Sequence, residues 1–106
     1  MIDRPNRNYF IYKAFVGYLD PKGIDSDEFC RVILSSIPAA SKSIPSGYIV
    51  YQEEILPILV AVREAYRRKS FDDPLGIYNE LFEGGISREL VDFYQSVVSS
   101  VSSLYN

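Results

Sequence analysis

Histidine is absent from this 106-residue chain, and cysteine occurs once, at Cys30. Without histidine the usual nucleophile-base pairs lack their base, and the common zinc ligand sets cannot be assembled. A lone cysteine excludes an internal disulfide, and Cys30, beside the inward face of its helix, reads as a small buried hydrophobe. No arginine-flanked apolar run ending in small residues opens the chain, so no secretory signal is expected and a reducing cytoplasm fits best. The longest apolar run, Ile55 to Val62, is far short of the roughly 20 residues that span a bilayer. A glycine-rich phosphate loop and a long internal repeat are missing as well. No cofactor or metal is therefore expected, and no catalytic residue.

Basic excess is also lacking. The chain carries 11 Lys and Arg against 14 Asp and Glu, a net charge of −3, which argues against direct binding to nucleic acid. The surplus sits in the middle. Residues 1–51 hold six bases and five acids, residues 52–83 four and seven, and residues 84–106 one and two. What is present in quantity is apolar: 47% of residues are hydrophobic, with nine Tyr and six Phe, enough for a packed core. Residues 1–106 are expected to form one domain.

Read in order, the chain suggests helices. Asn6 to Leu19 places Ile11, Phe15, Tyr18 and Leu19 on one stripe, widened by Tyr12 and Val16, and Asp20-Pro21-Lys22-Gly23 stops it. Asp25 caps a second helix, with Glu28 three residues on and Ile24 stapling onto Phe29. Its inward face is Phe29, Val32, Ile33 and Ile37, and it is expected to end near Ser35-Ser36, before Pro38. Pro38 to Gly47 is the chief linker. Tyr48 to Tyr51 reads as the first turn of a central helix, since a lone strand would have nothing to pair with. In that helix Ile55, Leu59, Val62 and Tyr66 form one stripe and Ile58, Ala61 and Ala65 a second, which demands packing on several sides. Pro57 either kinks the helix or begins its regular part. Asp73 with Pro74 caps a short helix whose Leu75, Tyr78, Leu81 and Phe82 face inward, closed by a left-handed cap at Gly84-Gly85. Ser87 caps the last helix, with Ile86 stapling onto Val91, and Leu90, Tyr94, Val97, Val98, Val101, Leu104 and Tyr105 follow at helical spacing. The expected architecture is all-α, an antiparallel four- to five-helix bundle.

The middle carboxylates, Glu53, Glu54, Glu64, Asp72, Asp73, Glu80 and Glu83, admit three readings. Glu53 and Glu54 in a first helical turn, and Asp72 and Asp73 at a cap, are where dipole and capping terms of about 0.3–1 kcal/mol would place them. A carboxylate pair could do acid-base or metal chemistry. An acidic surface could dock a basic protein, with Tyr48, Tyr51, Tyr66 and Tyr78 interleaved as anchors or as amphipathic core-edge residues.

Tyr12-Lys13-Ala14-Phe15, Gly23-Ile24-Asp25-Ser26-Asp27-Glu28-Phe29, the apolar Ile55-to-Tyr66 helix, the turn at Asp72-Asp73 and Gly85-Ile86-Ser87-Arg88-Glu89-Leu90 together resemble the colicin D immunity group and similar immunity proteins of contact-dependent growth-inhibition systems. The long Pro38–Gly47 linker and the Arg67-Arg68-Lys69 cluster depart from that pattern. The resemblance implies a small cytoplasmic helical bundle that binds a cognate toxin domain, typically a tRNA-cleaving nuclease, and covers its basic cleft with carboxylates standing in for phosphates. The corresponding positions are Glu64, Asp72 and Asp73, then Glu53 and Glu54, with Tyr66 and Tyr78 among the partner-binding candidates. Such a protein would be a monomer or weak homodimer when free, with no enzyme activity and no membrane contact. The alternative is a helical adaptor or subunit of a larger assembly, held by apolar contacts.

Overall fold

The computed structural model describes residues 7–18 and 27–105, and within them the chain is an all-α bundle. The helices are α1 (Arg7–Tyr18), α2 (Asp27–Ser41), α3 (Gln52–Arg68), α4 (Pro74–Leu81) and α5 (Arg88–Ser102), with a 3₁₀ turn at Ser103–Tyr105. The expected stop at Asp20 to Gly23, the cap at Asp25 with its Ile24 staple, and Leu19 lie outside the described residues.

Apolar residues at 3.6-residue spacing decide which faces meet. On α3, Ile55, Ile58, Leu59, Ala61, Val62 and Ala65 are all buried, and α1, α4 and α5 pack around the helix. One α5 stripe, Leu90, Phe93, Tyr94, Val97, Val98 and Val101, closes against α2 and α3. Ile11 and Phe15 bring α1 into the same core. Tyr12 and Val16, expected to widen that stripe, are instead exposed, because at about 100° per residue they fall on the flank of α1, outside the line of Ile11 and Phe15 that meets the core.

One proline reading needs correction, and a second is narrowed. Helix α2 does not end before Pro38 but runs through it to Ser41. Ile33, Ile37, Ala40 and Ile44 continue one buried stripe past the proline, whose ring is exposed. That burial offsets the roughly 3 kcal/mol a proline costs inside a helix. Hydroxyls of Ser35, Ser36, Ser41 and Ser43 donate to carbonyls three residues back, supplying local hydrogen bonds around the interruption. Pro57 likewise lies inside α3, which begins five residues earlier at Gln52. Tyr48 to Tyr51 is not its first turn. The segment has no regular structure, and Tyr51 stands at the N-cap with extended dihedrals, φ −106° and ψ 152°.

The helix ends also differ from expectation. Phe82 ends α4 in extended geometry, so the left-handed residue Gly85, φ 71°, belongs to the following turn. Helix α3 ends in a Schellman motif: the Lys69 N–H donates to Tyr66 and the Ser70 N–H to Ala65. Lys69 takes the left-handed position, φ 55°, that glycine usually fills. The Ser87 hydroxyl makes no cap bond on α5 and turns instead to Glu54.

Pro38→Ala restores a backbone donor at an exposed position without removing core contacts. It is expected to raise stability by about 1 kcal/mol, part of the helical gain being offset by the looser unfolded chain. Urea unfolding of the variant checks this, and lower stability would show that the proline is needed for the local geometry.

Candidate partner-binding surface

Helix α3 is 17 residues long, about 25 Å, and its buried middle leaves polar groups only near its ends. Glu53 and Glu54 lie in its first turn and Arg67 and Arg68 in its last, as the helix dipole favours.

At the C-terminal end Glu64 is held by its own helix. Its carboxylate, 19% exposed, pairs with Arg67 one turn on and accepts from Arg68 Nε at 2.7 Å. The same Arg68 reaches α4, donating to both Glu80 oxygens at 3.2 and 2.6 Å. Hydrogen bonds from Arg67 and Arg68 pull the Glu64 carboxyl from its ordinary 4.5 down to about 2. Glu80 is lowered by Arg68, and the Arg68 guanidinium is raised by Glu80 and then Glu64. Of the three bases noted in sequence beside the acidic turn, Arg67 and Arg68 thus form an ion-pair network in which Arg68 straps α3 to α4. Glu64 has no free oxygen charge to offer a partner until that strap is rearranged.

The next turn divides its two aspartates. Asp73 is the N-cap of α4 and accepts from the Gly76 N–H at 3.1 Å. A Cβ at Gly76 would collide with this carboxylate, so a side chain there would displace the cap. Asp72 is exposed and has no hydrogen-bond or ion-pair partner among the described residues.

Tyr78 leaves the candidate surface: it is 6% exposed, with its ring against Phe82 at 5.1 Å and Tyr94 at 5.7 Å. It faces the core because the α4 stripe runs through Ile77 and Tyr78, rather than through Leu81, which is exposed. Burial, then the Glu54 charge, raises its pKa. Beside it the Tyr94 hydroxyl donates to the Pro74 carbonyl at 2.5 Å, tying α5 to the start of α4. Tyr66 is half-buried, its ring 4.4 Å from Phe29 of α2.

The N-terminal end of α3 is organised by Glu54. Its carboxylate accepts from the Tyr48 hydroxyl at 2.7 Å, from the Ser87 hydroxyl at 3.0 Å, and from the Tyr51 N–H at 3.5 Å. One half-buried acid therefore joins the loop before α3 to the start of α5. The Tyr48 pKa is raised, chiefly by this bond to Glu54. Glu53, one residue earlier, is exposed and unpaired among the described residues. Of the seven positions singled out by sequence, Glu53 and Asp72 are the two carboxylates that remain open.

Sequence reasoning misses Ile49, 65% exposed, and does not set Tyr51, 54% exposed, apart from the other tyrosines; they precede Glu53 in the chain by four and two residues. The available signal is the alternation in Tyr48-Ile49-Val50-Tyr51: Tyr48 and Val50 are half-buried, and the other two face out. Among the described residues no group of three potential metal-ligating acids or thiols converges, and no helix is long and apolar enough to cross a membrane.

Comparison with known protein families, curated proteins and solved structures found no match.

The Glu64 strap gives a pH dependence of definite sign. Because folding depresses this carboxyl, its contribution is complete above pH 4.5 and is lost as pH falls toward about 2. Glu64→Gln should lower stability at neutral pH by about 0.5–1 kcal/mol, the range of solvent-screened pairs. The difference between variant and parent should vanish in the acid window, as followed by urea unfolding at stepped pH. A difference that persists there would assign the effect to packing.

Proposed function

We propose that the chain is an immunity protein: a cytoplasmic, non-catalytic binder that neutralises a cognate toxin domain by laying carboxylates over its basic active-site cleft. The toxin class implied by the resemblance is a tRNA-cleaving nuclease. The reading stands on the residue pattern and on charge, not on a homologue.

The observation that carries it is the distribution of open carboxylates. Glu54, Glu64, Asp73 and Glu80 are used internally, while Glu53 in the first turn of α3, Asp72 in the turn after it and Glu83 after α4 remain exposed and unpaired among the described residues. Exposed charges on an ordered scaffold steer a basic partner and fix its register. Helix α3, about 25 Å long, separates Glu53 and Asp72 in the chain, and a face of that length suits an interface of ordinary size.

A second reading, a helical adaptor held by apolar contacts, is favoured by one feature. Tyr9, Tyr12 and Val16 are exposed on the outer side of α1, and Lys13 lies 5.7 Å from the Tyr9 ring. Apolar docking there would be nearly independent of salt.

Co-expression with the product of the neighbouring gene tests the proposal. Under the immunity reading the chain protects cells from that product and forms a complex with it that weakens as salt rises. Asp72→Lys is expected to weaken the complex by more than the ~0–1 kcal/mol of an exposed pair. Absence of protection and of a complex would remove the immunity reading. A salt-independent complex disrupted by Tyr12→Ala would transfer the assignment to the adaptor.

A further inference from the structure

We infer that the ridge Ile49-Tyr51-Glu53, at the entrance to α3, is the anchor of the partner interface, and that it receives an extended segment of a basic protein. This rests on the immunity reading and assigns it a contact surface.

Three features of the ridge define its occupant. Ile49 and Tyr51 are among the most exposed large apolar side chains of the described residues, and they flank the half-buried Val50. A partner must therefore bring apolar surface to cover them, and Tyr is a side chain that interfaces use as an anchor. Glu53 follows two residues later, exposed and unpaired, which selects a Lys or Arg beside that apolar surface. The backbone N–H and C=O groups of Ile49 and Val50 make no hydrogen bond among the described residues. A partner segment lying alongside can pair with Ile49, and only an extended backbone presents donor and acceptor together in that way.

The ridge is also held before binding. The Tyr48 hydroxyl and the Tyr51 N–H both donate to Glu54, and Glu54 is fixed in turn by Ser87 of the α5 entrance. Segments clamped at both ends lose less conformational freedom on association, so more of the contact energy appears as affinity. Asp72, in the turn after α3, follows the half-buried Phe71 and would serve steering.

The test uses the full chain and the basic toxin domain encoded beside it, in a catalytically silent form, with Kd measured by calorimetry and amide exchange followed in the complex. Tyr51→Ala and Glu53→Lys each replace an exposed side chain, and unchanged thermal unfolding shows that both variants fold. Each is expected to weaken binding by at least about tenfold, and the Ile49 amide should become protected in the complex. If a complex forms but both variants change Kd by less than about twofold and the Ile49 amide exchanges as in the free chain, the ridge is overturned while the immunity reading stands. If the parent chain binds no toxin domain, both fall.

Discussion

Burial of α3 is the constraint on which the rest of this structure depends. Six of its side chains are buried, and α1, α4 and α5 are arranged around it. A helix enclosed in this way has almost nowhere to put charge except near its ends. The two polar centres, Glu54 at the entrance and Glu64 near the exit, follow from that enclosure. Both also serve the architecture, Glu54 by joining three chain segments and Glu64 by sharing an arginine strap with Glu80 of α4.

An acidic composition is therefore a poor guide to an acidic surface. The middle of the chain holds seven carboxylates. Four of them are taken up by caps, hydroxyls and guanidinium groups, and Glu64 is held so firmly that its carboxyl is lowered to about 2. The remainder, Glu53, Asp72 and Glu83, is exposed and unpaired among the described residues. In the proposed interface the exposed Ile49 and Tyr51, four and two residues before Glu53, add apolar area to a charge that alone would contribute little. Basic residues at Arg67 and Arg68 do not simply weaken the acidic surface. They take Glu64 and Glu80 out of it, and leave Asp72 as the open charge of that turn.

Much of the helical layout is legible from periodicity: the α3 stripes, the α2 face at Phe29, Ile33 and Ile37, and the Asp73-Pro74 entrance to α4 all rest on contacts within one turn. The failures share a physical cause. Pro38 reads as a terminator from its intrinsic penalty, but Ile37 and Ala40 gain enough from the core to carry α2 past it. Tyr48 to Tyr51 reads as helix from apolarity, but its alternating burial reflects which neighbours it meets. The Ser87 hydroxyl reads as the cap of its own helix because sequence offers no view of Glu54, 33 residues away.

The sequence by itself determined that this chain would be all-helical, acidic in its middle and without the residues of the common nucleophilic or zinc chemistries, because those properties depend on composition and on spacing within a few residues. Tertiary structure alone decided which acids are used internally, since Arg68 meets Glu80 and Ser87 meets Glu54 only after the helices have packed. Core burial fixes those distances across the chain, and of the middle segment it leaves Glu53, Asp72 and Glu83 exposed and unpaired among the described residues.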